Sequence, residues 1–466
     1  MRASFQQALD LVAAAWVPFD APAASDAAAA TRLANHRRVL LHLALFVANN
    51  GDDSAAAALA RGPLIKRLAT ALTSPRATNG EAEACARLFC TLAHHPDAVM
   101  HACGGPRLVA ALLAAASRDQ PAPAANSGSE LTGLALEALA RLSYHERARH
   151  DCEVAGEITL SKMPDAAAKL VLIIQKAMAG ANAAGEPRSA ANVPHEASAA
   201  ASLLGIAGSQ KDGPTTLGAG AAGARFCARA RAAGGLRALL AALDASGDAR
   251  DQRSISSCSL MLASAGLVLG TIGLDNHSSS NAPAEVERAQ LKQLAWEQLA
   301  YGLSHHDPAT SSKAGDMMEG VLMSSPTTFA GFEMHPGGLD ALAAAVAAPH
   351  AQGDAVKAAS HVLACIASWV GLASGRSEQL HRQVYMGMPP RDLAVCALRF
   401  IKVNTGNGDL ARLAERPLKT VAAAARGARV GGGDDVLMGD SNASAGAASP
   451  GGGGGAKKRG RGGDGH

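Results

Sequence analysis

The chain has 466 residues, 43 Lys and Arg against 40 Asp and Glu, and only 3% aromatic side chains. Alanine and leucine dominate the apolar set, which favours helix over strand on propensity, so the folded part is read as all-α. The net charge of +3 is local: residues 451–466 carry Lys457, Lys458, Arg459 and Arg461 against Asp464, leaving 39 basic and 39 acidic side chains elsewhere, a balance that argues against a nucleic-acid-binding body.

Taken in chain order, "MRASFQQALDLVAAAW" lacks the charged start, apolar block and cleavage site of a secretory signal, and Asp10, Asp20 and Asp26 argue against a transit peptide. Residues 1–29 are expected to form a helical cap or lead-in. "RGPLIKRLATAL", from Arg61, reads as an irregular copy of a helical unit that recurs more clearly downstream. Three stretches superpose without a gap, at 83–95, 133–145 and 294–306. Their apolar residues fall at Ala84, Leu88 and Leu92, at Leu134, Ala138 and Leu142, and at Ala295, Leu299 and Leu303, an i, i+4, i+8 stripe on one helix face. Each stripe ends in Leu, two residues, then His (His95, His145, His306), and this ring is expected to meet the unpaired carbonyls of the helix end. "LDNH", Leu274 to His277, is a weaker echo.

A second element follows double glycines. With Gly104, Gly235 and Gly338 in register, Leu108 and Leu112, Leu239 and Leu243, and Leu342 and Val346 coincide. The glycines permit a sharp turn, and the helix after them must bury its stripe on neighbouring units. The longest apolar run, Leu260 to Leu274, is shorter than the ~20 residues of a membrane-spanning helix. Eight cysteines (Cys85, Cys90, Cys103, Cys152, Cys227, Cys258, Cys365, Cys396) include no CxxC pair and read as reduced, buried thiols of an intracellular protein.

With its helix, polar turn, small helix, double glycine and longer apolar helix, "LFCTLAHHPDAVMHACGGPRLVAALL" (Leu88 to Leu113) resembles the armadillo-like (ARM/HEAT) family of α-solenoids. The resemblance implies a helical-repeat superhelix over 30–425 with irregular inserts, of roughly eight to nine units at ~42 residues each. It also implies that helices after the glycine pairs line a concave groove, which makes Arg107, Arg237 and Asp340 the candidate protein contacts. The tryptophan and asparagine ladders of import and catenin-type members are missing: Trp16, Trp296 and Trp369 stand alone.

Sharper chemistry finds little support. Cys85, Cys90, His94, His95, His101 and Cys103 include zinc-type ligands, but their spacing is not a finger pattern and the histidine recurs without cysteines. "HERARH", His145 to His150, sets its histidines at i and i+5, one too many for zinc on one helix face. "GAGAAGA", Gly218 to Ala224, matches GxGxxG, yet the polar "SQKDGPTTL" before it is no buried strand. There is no Walker A loop, no GxSxG elbow and no framed carboxylate pair. No enzyme activity, metal or cofactor is expected.

The pattern weakens from about Asn404, and residues 426–466 read as a disordered Gly-rich basic tail. The expected function is a noncatalytic scaffold that binds protein partners along the solenoid surface in the cytoplasm. The alternative is a nuclear or RNA-associated factor in which Lys457, Lys458, Arg459 and Arg461 contact nucleic acid electrostatically. Nucleic acid is expected through the tail only, and no membrane partner.

Overall fold

Apolar stripes at four-residue spacing produce helices that must bury one face, and the computed structural model shows how they do so. It describes residues 2–19, 27–51, 53–118, 130–143, 160–183, 193–210, 219–248, 251–273, 282–322, 338–348, 353–373, 388–405 and 408–431, among which there is helix and no strand. Contacts divide the chain into one compact unit, Met1–Ala425, and a second, Arg426–His466, described only to the end of its helical start at Gly431.

The helices are α1 (Arg2–Ala15), α2 (Ala27–Asn50), α3 (Asp53–Arg61), α4 (Pro63–Leu68), α5 (Thr70–Thr73), α6 (Asn79–Leu92), α7 (Pro96–Cys103), α8 (Pro106–Ala116), α9 (Glu130–Ser143), α10 (Ala166–Ala183) and α11 (His195–Gly208). They continue as α12 (Ala221–Ala232), α13 (Gly235–Ala245), α14 (Ser257–Thr271), α15 (Ala282–Leu303), α16 (Pro308–Leu322), α17 (Gly338–Ala347), α18 (Gly353–Ala373), α19 (Pro390–Asn404), α20 (Gly408–Leu413) and α21 (Glu415–Gly431).

Local chemistry sets several boundaries. Thr78 caps α6 through a reciprocal box with Glu81, and Ser256 does the same for α14 with Ser259. Pro63 after Gly62, and Pro390 after Pro389, start α4 and α19, where a missing N–H costs nothing.

Packing within the first unit follows one rule. α2, α6, α9, α11, α14, α16 and α18 stack in that order as one row; α5, α8, α10, α13, α15, α17 and α19 stack as a second. The first six helices of the second row also pack on the first-row helix that follows each in the chain, as α8 on α9 and α13 on α14, and α19 packs on the preceding α18. Neighbours in sequence are therefore neighbours in space, the arrangement of a helical-repeat solenoid. The stripes named above supply its core: Ala84, Leu88, Leu92, Ala138, Leu142, Ala295, Leu299 and Leu303 are buried and Leu134 is half-buried. Each fully buried leucine contributes about 1.5–3 kcal/mol. α1 lies against α2 and α3, while α12 fills the angle between α10, α11, α13 and α14.

Small residues let the rows approach closely. A Cβ on Gly315 of α16 would lie 2.5 Å from the Ala358 Cβ of α18, and one on Gly208 of α11 would lie 2.6 Å from the Cys227 Sγ. α11 and α14, in the middle of the first row, are buried nearly all round and carry no charged residue beyond Glu196 in the first turn of α11.

Four expectations change. Among the described residues each row holds seven helices, against the eight to nine units expected; the 131 residues from Gly104 to Gly235 span two layers, α8 to α10 to α13, where three repeats of ~42 residues were expected. The stretch 294–306 ends α15, in the second row, whereas 83–95 and 133–145 end α6 and α9, in the first. An i, i+4, i+8 stripe is required of any helix with one buried face, so it cannot tell the rows apart. The copy from Arg61 is broken into α4 and α5 at Ala69. Regular helix also continues past Asn404, with Leu410, Ala414 and Val421 buried.

Candidate interaction surface

The glycine corners launch second-row helices, as their backbone geometry explains. Gly104 ends α7 with φ +75°, and Gly105 follows with φ +39° and donates its N–H to the Met100 carbonyl at 2.6 Å. Between α7 and α8 the chain bends by 93°. At the next corner the left-handed residue is Gly234, φ +84°, one residue ahead of the register read from the sequence. Gly235 then permits close approach, since a Cβ there would sit 2.7 Å from the Ala230 carbonyl oxygen and 2.9 Å from Leu269. Gly338 is buried at the start of α17. After each corner the aligned pairs Leu108 and Leu112, Leu239 and Leu243, and Leu342 and Val346 are buried.

Arg107, Arg237 and Asp340 lie in the first turns of α8, α13 and α17. They do not converge: α10 stands between α8 and α13 in the row, and α15 between α13 and α17. Arg107 is exposed and forms no ion pair among the described residues. Arg237, though 79% exposed, donates from Nε and a terminal nitrogen to one oxygen of Glu287 on α15, at 3.0 and 2.8 Å. Asp340 lies 3.6 Å from the guanidinium of Arg416. Two of the three candidates thus tie a helix start to another element. Sequence reasoning missed Glu287 and Arg416, whose pairing is tertiary and 50 or more residues distant. It also missed Leu172 on α10 and Val286 on α15, apolar side chains left exposed on the second row.

Beside the second corner, Arg231 donates to the Leu269 and Ile272 carbonyls at 2.9 and 2.7 Å, closing the C-terminal end of α14. Burial lowers its pKa below the usual guanidinium value. Burial, and then nearby Arg288, likewise lower that of Lys292.

In the cysteine and histidine cluster two thiols face the backbone. The Cys85 thiol donates to the Leu68 carbonyl at 3.3 Å and the Cys90 thiol to the Leu134 carbonyl at 3.4 Å. Burial pushes Cys85 upward, Cys90 to about 12 and Cys103 to about 11. Among the described residues no three His, Cys, Asp or Glu side chains gather as a metal would require. Among the described residues, the rings of His95 and His306 have partners other than helix-end carbonyls. His95 precedes α7 and its Nε2 lies 3.2 Å from Asp53 at the start of α3, while the Leu92 carbonyl accepts the backbone N–H of His95. After α15, His305 accepts the Asp307 N–H through Nδ1 and stacks on His306, ring centroids 4.2 Å apart. The rings of His95 and His305 thus meet residues at the starts of α3 and α16.

Gly223, from the GxGxxG match, sits inside α12, where a Cβ would lie 2.5 Å from the Gly208 carbonyl oxygen; it is a helix-packing glycine. His145, His150, Cys152, the echo at His277 and the tail cations Lys457, Lys458, Arg459 and Arg461 lie outside the described residues. No single described helix is long and apolar enough to cross a membrane.

No protein-family profile matches the chain, and no curated protein does. Similar solved structures include an engineered protein from the Northeast Structural Genomics Consortium, with TM-score 0.35, 15% identity, and coverage of 90% of this chain and 98% of that one. UNC-45 from Drosophila melanogaster gives TM-score 0.20 at 14% identity over 91% of this chain, which spans 63% of the length of UNC-45. A circular tandem repeat protein with a novel repeat topology gives 0.20 at 13%, covering 93% of this chain and 91% of its own. At these scores the helical-repeat assignment rests on the packing of the two rows.

Proposed function

We propose that this protein is a noncatalytic interaction scaffold of the armadillo-like type, which binds a protein partner along its second row of helices. The observation that supports this reading most is the repeated construction of that row. Glycine corners start α8 and α13, buried Gly338 begins α17, their apolar sides are spent on the core, and Arg107, Leu172, Arg237 and Val286 are left to solvent on successive members of the row. A stacked array of this kind offers a long surface with no deep chemistry, suited to another protein. The expected location is cytoplasmic or nuclear. The test is a hydrogen-exchange footprint of the full chain with a captured partner: protection should concentrate on α8, α10, α13, α15 and α17. Protection confined to first-row helices would refute the surface.

The second reading, contact with nucleic acid through Lys457, Lys458, Arg459 and Arg461, draws on the cluster "KKRGR". It predicts binding that falls steeply with salt and is lost when residues 451–466 are removed.

A further inference from the structure

The charge balance of the body conceals a local excess. Residues 16–80 hold seven Lys and Arg against four acidic residues, Asp20, Asp26, Asp52 and Asp53. Within this segment one wall of a cleft is held by internal cations. Arg37 donates to the carbonyls of Val17 and Pro18, both at 2.7 Å, and its guanidinium carbon stands 4.1 Å from the centre of the Phe19 ring. Behind it lies buried Glu81, 3.8 Å away. Arg76 donates to the Phe19 carbonyl at 3.1 Å. These contacts fix Trp16 and Phe19 edge to face, with ring centroids 6.1 Å apart.

The same cleft is lined by Arg67 and Thr70 of α4 and α5 and by the turn Ser74–Pro75–Arg76. The cleft has a volume of about 590 Å³, and among the described residues that line it none is acidic. Arg37 and Arg76 are committed to the wall, whereas exposed Arg67 forms no ion pair among the described residues. A pocket of a few hundred Å³ with an apolar wall and a few polar groups is the size that takes one or two side chains.

We propose that this cleft binds a short acidic peptide segment, a carboxylate on Arg67 and an adjacent proline or aromatic side chain against Trp16, Phe19 and Pro75. The inference rests on the scaffold reading and adds to it a second contact, at the N-terminal end of the array. Peptide fits better than nucleic acid. Trp16 and Phe19 are each only 7% exposed, whereas base stacking needs an open ring face. One uncommitted guanidinium also makes a point contact, not a track for successive phosphates.

The test is selection of a random heptapeptide library on the full-length protein, with the Arg67→Glu protein as counter-target. Enriched sequences should pair Asp or Glu with proline or an aromatic residue. The best synthetic peptide should lose affinity on the order of tenfold on Arg67→Glu, with thermal melting unchanged and Arg67→Lys retaining part of it. Enrichment of basic or uncharged sequences, or equal enrichment on both proteins, would overturn the proposal. So would a twelve-nucleotide single strand that binds in an Arg67-dependent way while no peptide does. A partner still captured by the second row when no peptide is enriched would overturn the cleft alone. An Arg67-dependent peptide without any captured partner would support the cleft and count against the second-row reading.

Discussion

If close approach of α16 and α18 holds two layers of the array together, Gly315→Ala should destabilise the protein even though alanine is the better helix former. The added Cβ would stand 2.5 Å from the Ala358 Cβ, where carbon atoms prefer about 3.5–4.0 Å, so the helices must separate by about 1 Å. Ala358 is buried and has no flexible side chain to yield. Overpacking of this severity costs about 3 kcal/mol, offset by about 1 kcal/mol of helix propensity, for a net loss of about 2 kcal/mol. Gly320, five residues on in the same helix, is the control. It is exposed and a Cβ there meets no heavy atom within 4 Å, so Gly320→Ala should gain up to about 1 kcal/mol. Ala358→Gly should rescue Gly315→Ala, a favourable coupling in a double-mutant cycle. Urea unfolding followed by far-ultraviolet circular dichroism measures these shifts, and hydrogen exchange should locate the loss at α16 and α18. Shifts of the same sign for Gly315→Ala and Gly320→Ala would refute the reasoning.

Three further outcomes are expected. Gly234→Ala should cost about 1–2 kcal/mol through its φ of +84°, with Gly234→Asn milder; equal unfolding midpoints for all three proteins would show that the corner is not strained. Thr78→Ala should remove about 1 kcal/mol by opening the α6 capping box, seen as faster exchange of the Glu81 amide, and an unchanged amide would contradict the cap. Burial raises the Cys227 thiol to about 12, so its stabilising contribution is complete below the unfolded thiol pKa near 9 and is lost as pH rises toward 12. Cys227→Ala should therefore flatten the decline of stability above pH 9 by about 1.4 kcal/mol per pH unit, and an identical slope in both proteins would rule this out.

The helices and their inward faces were legible because a buried stripe leaves a periodic trace, as at Ala84, Leu88 and Leu92, and because glycine pairs such as Gly104 and Gly105 mark left-handed backbone. Row membership was not legible, since α6 and α15 need the same stripe to bury a face. The layer count was obscured by α10, which starts without a glycine pair and so hides one step between Gly104 and Gly235. The histidines were assigned to helix ends on proximity in sequence, whereas the partner of His95 is Asp53, set beside it by the packing of α7 on α3. Arg237 and Asp340 were readable as surface residues but not as halves of the pairs with Glu287 and Arg416. The wall of the cleft depends on Arg37, which looks like one surface cation among several until Glu81 and the Val17 and Pro18 carbonyls surround it.

The central claim is that the folded rows, and not the basic tail, hold the partner. Because α21 continues to Gly431, the decisive comparison is affinity capture from native extract by the full chain and by one ending at Gly431, each with and without nuclease. The account predicts the same protein partner in all four samples, weakened by Arg107→Glu combined with Arg237→Glu. Loss of the partner on truncation or on nuclease treatment would contradict it.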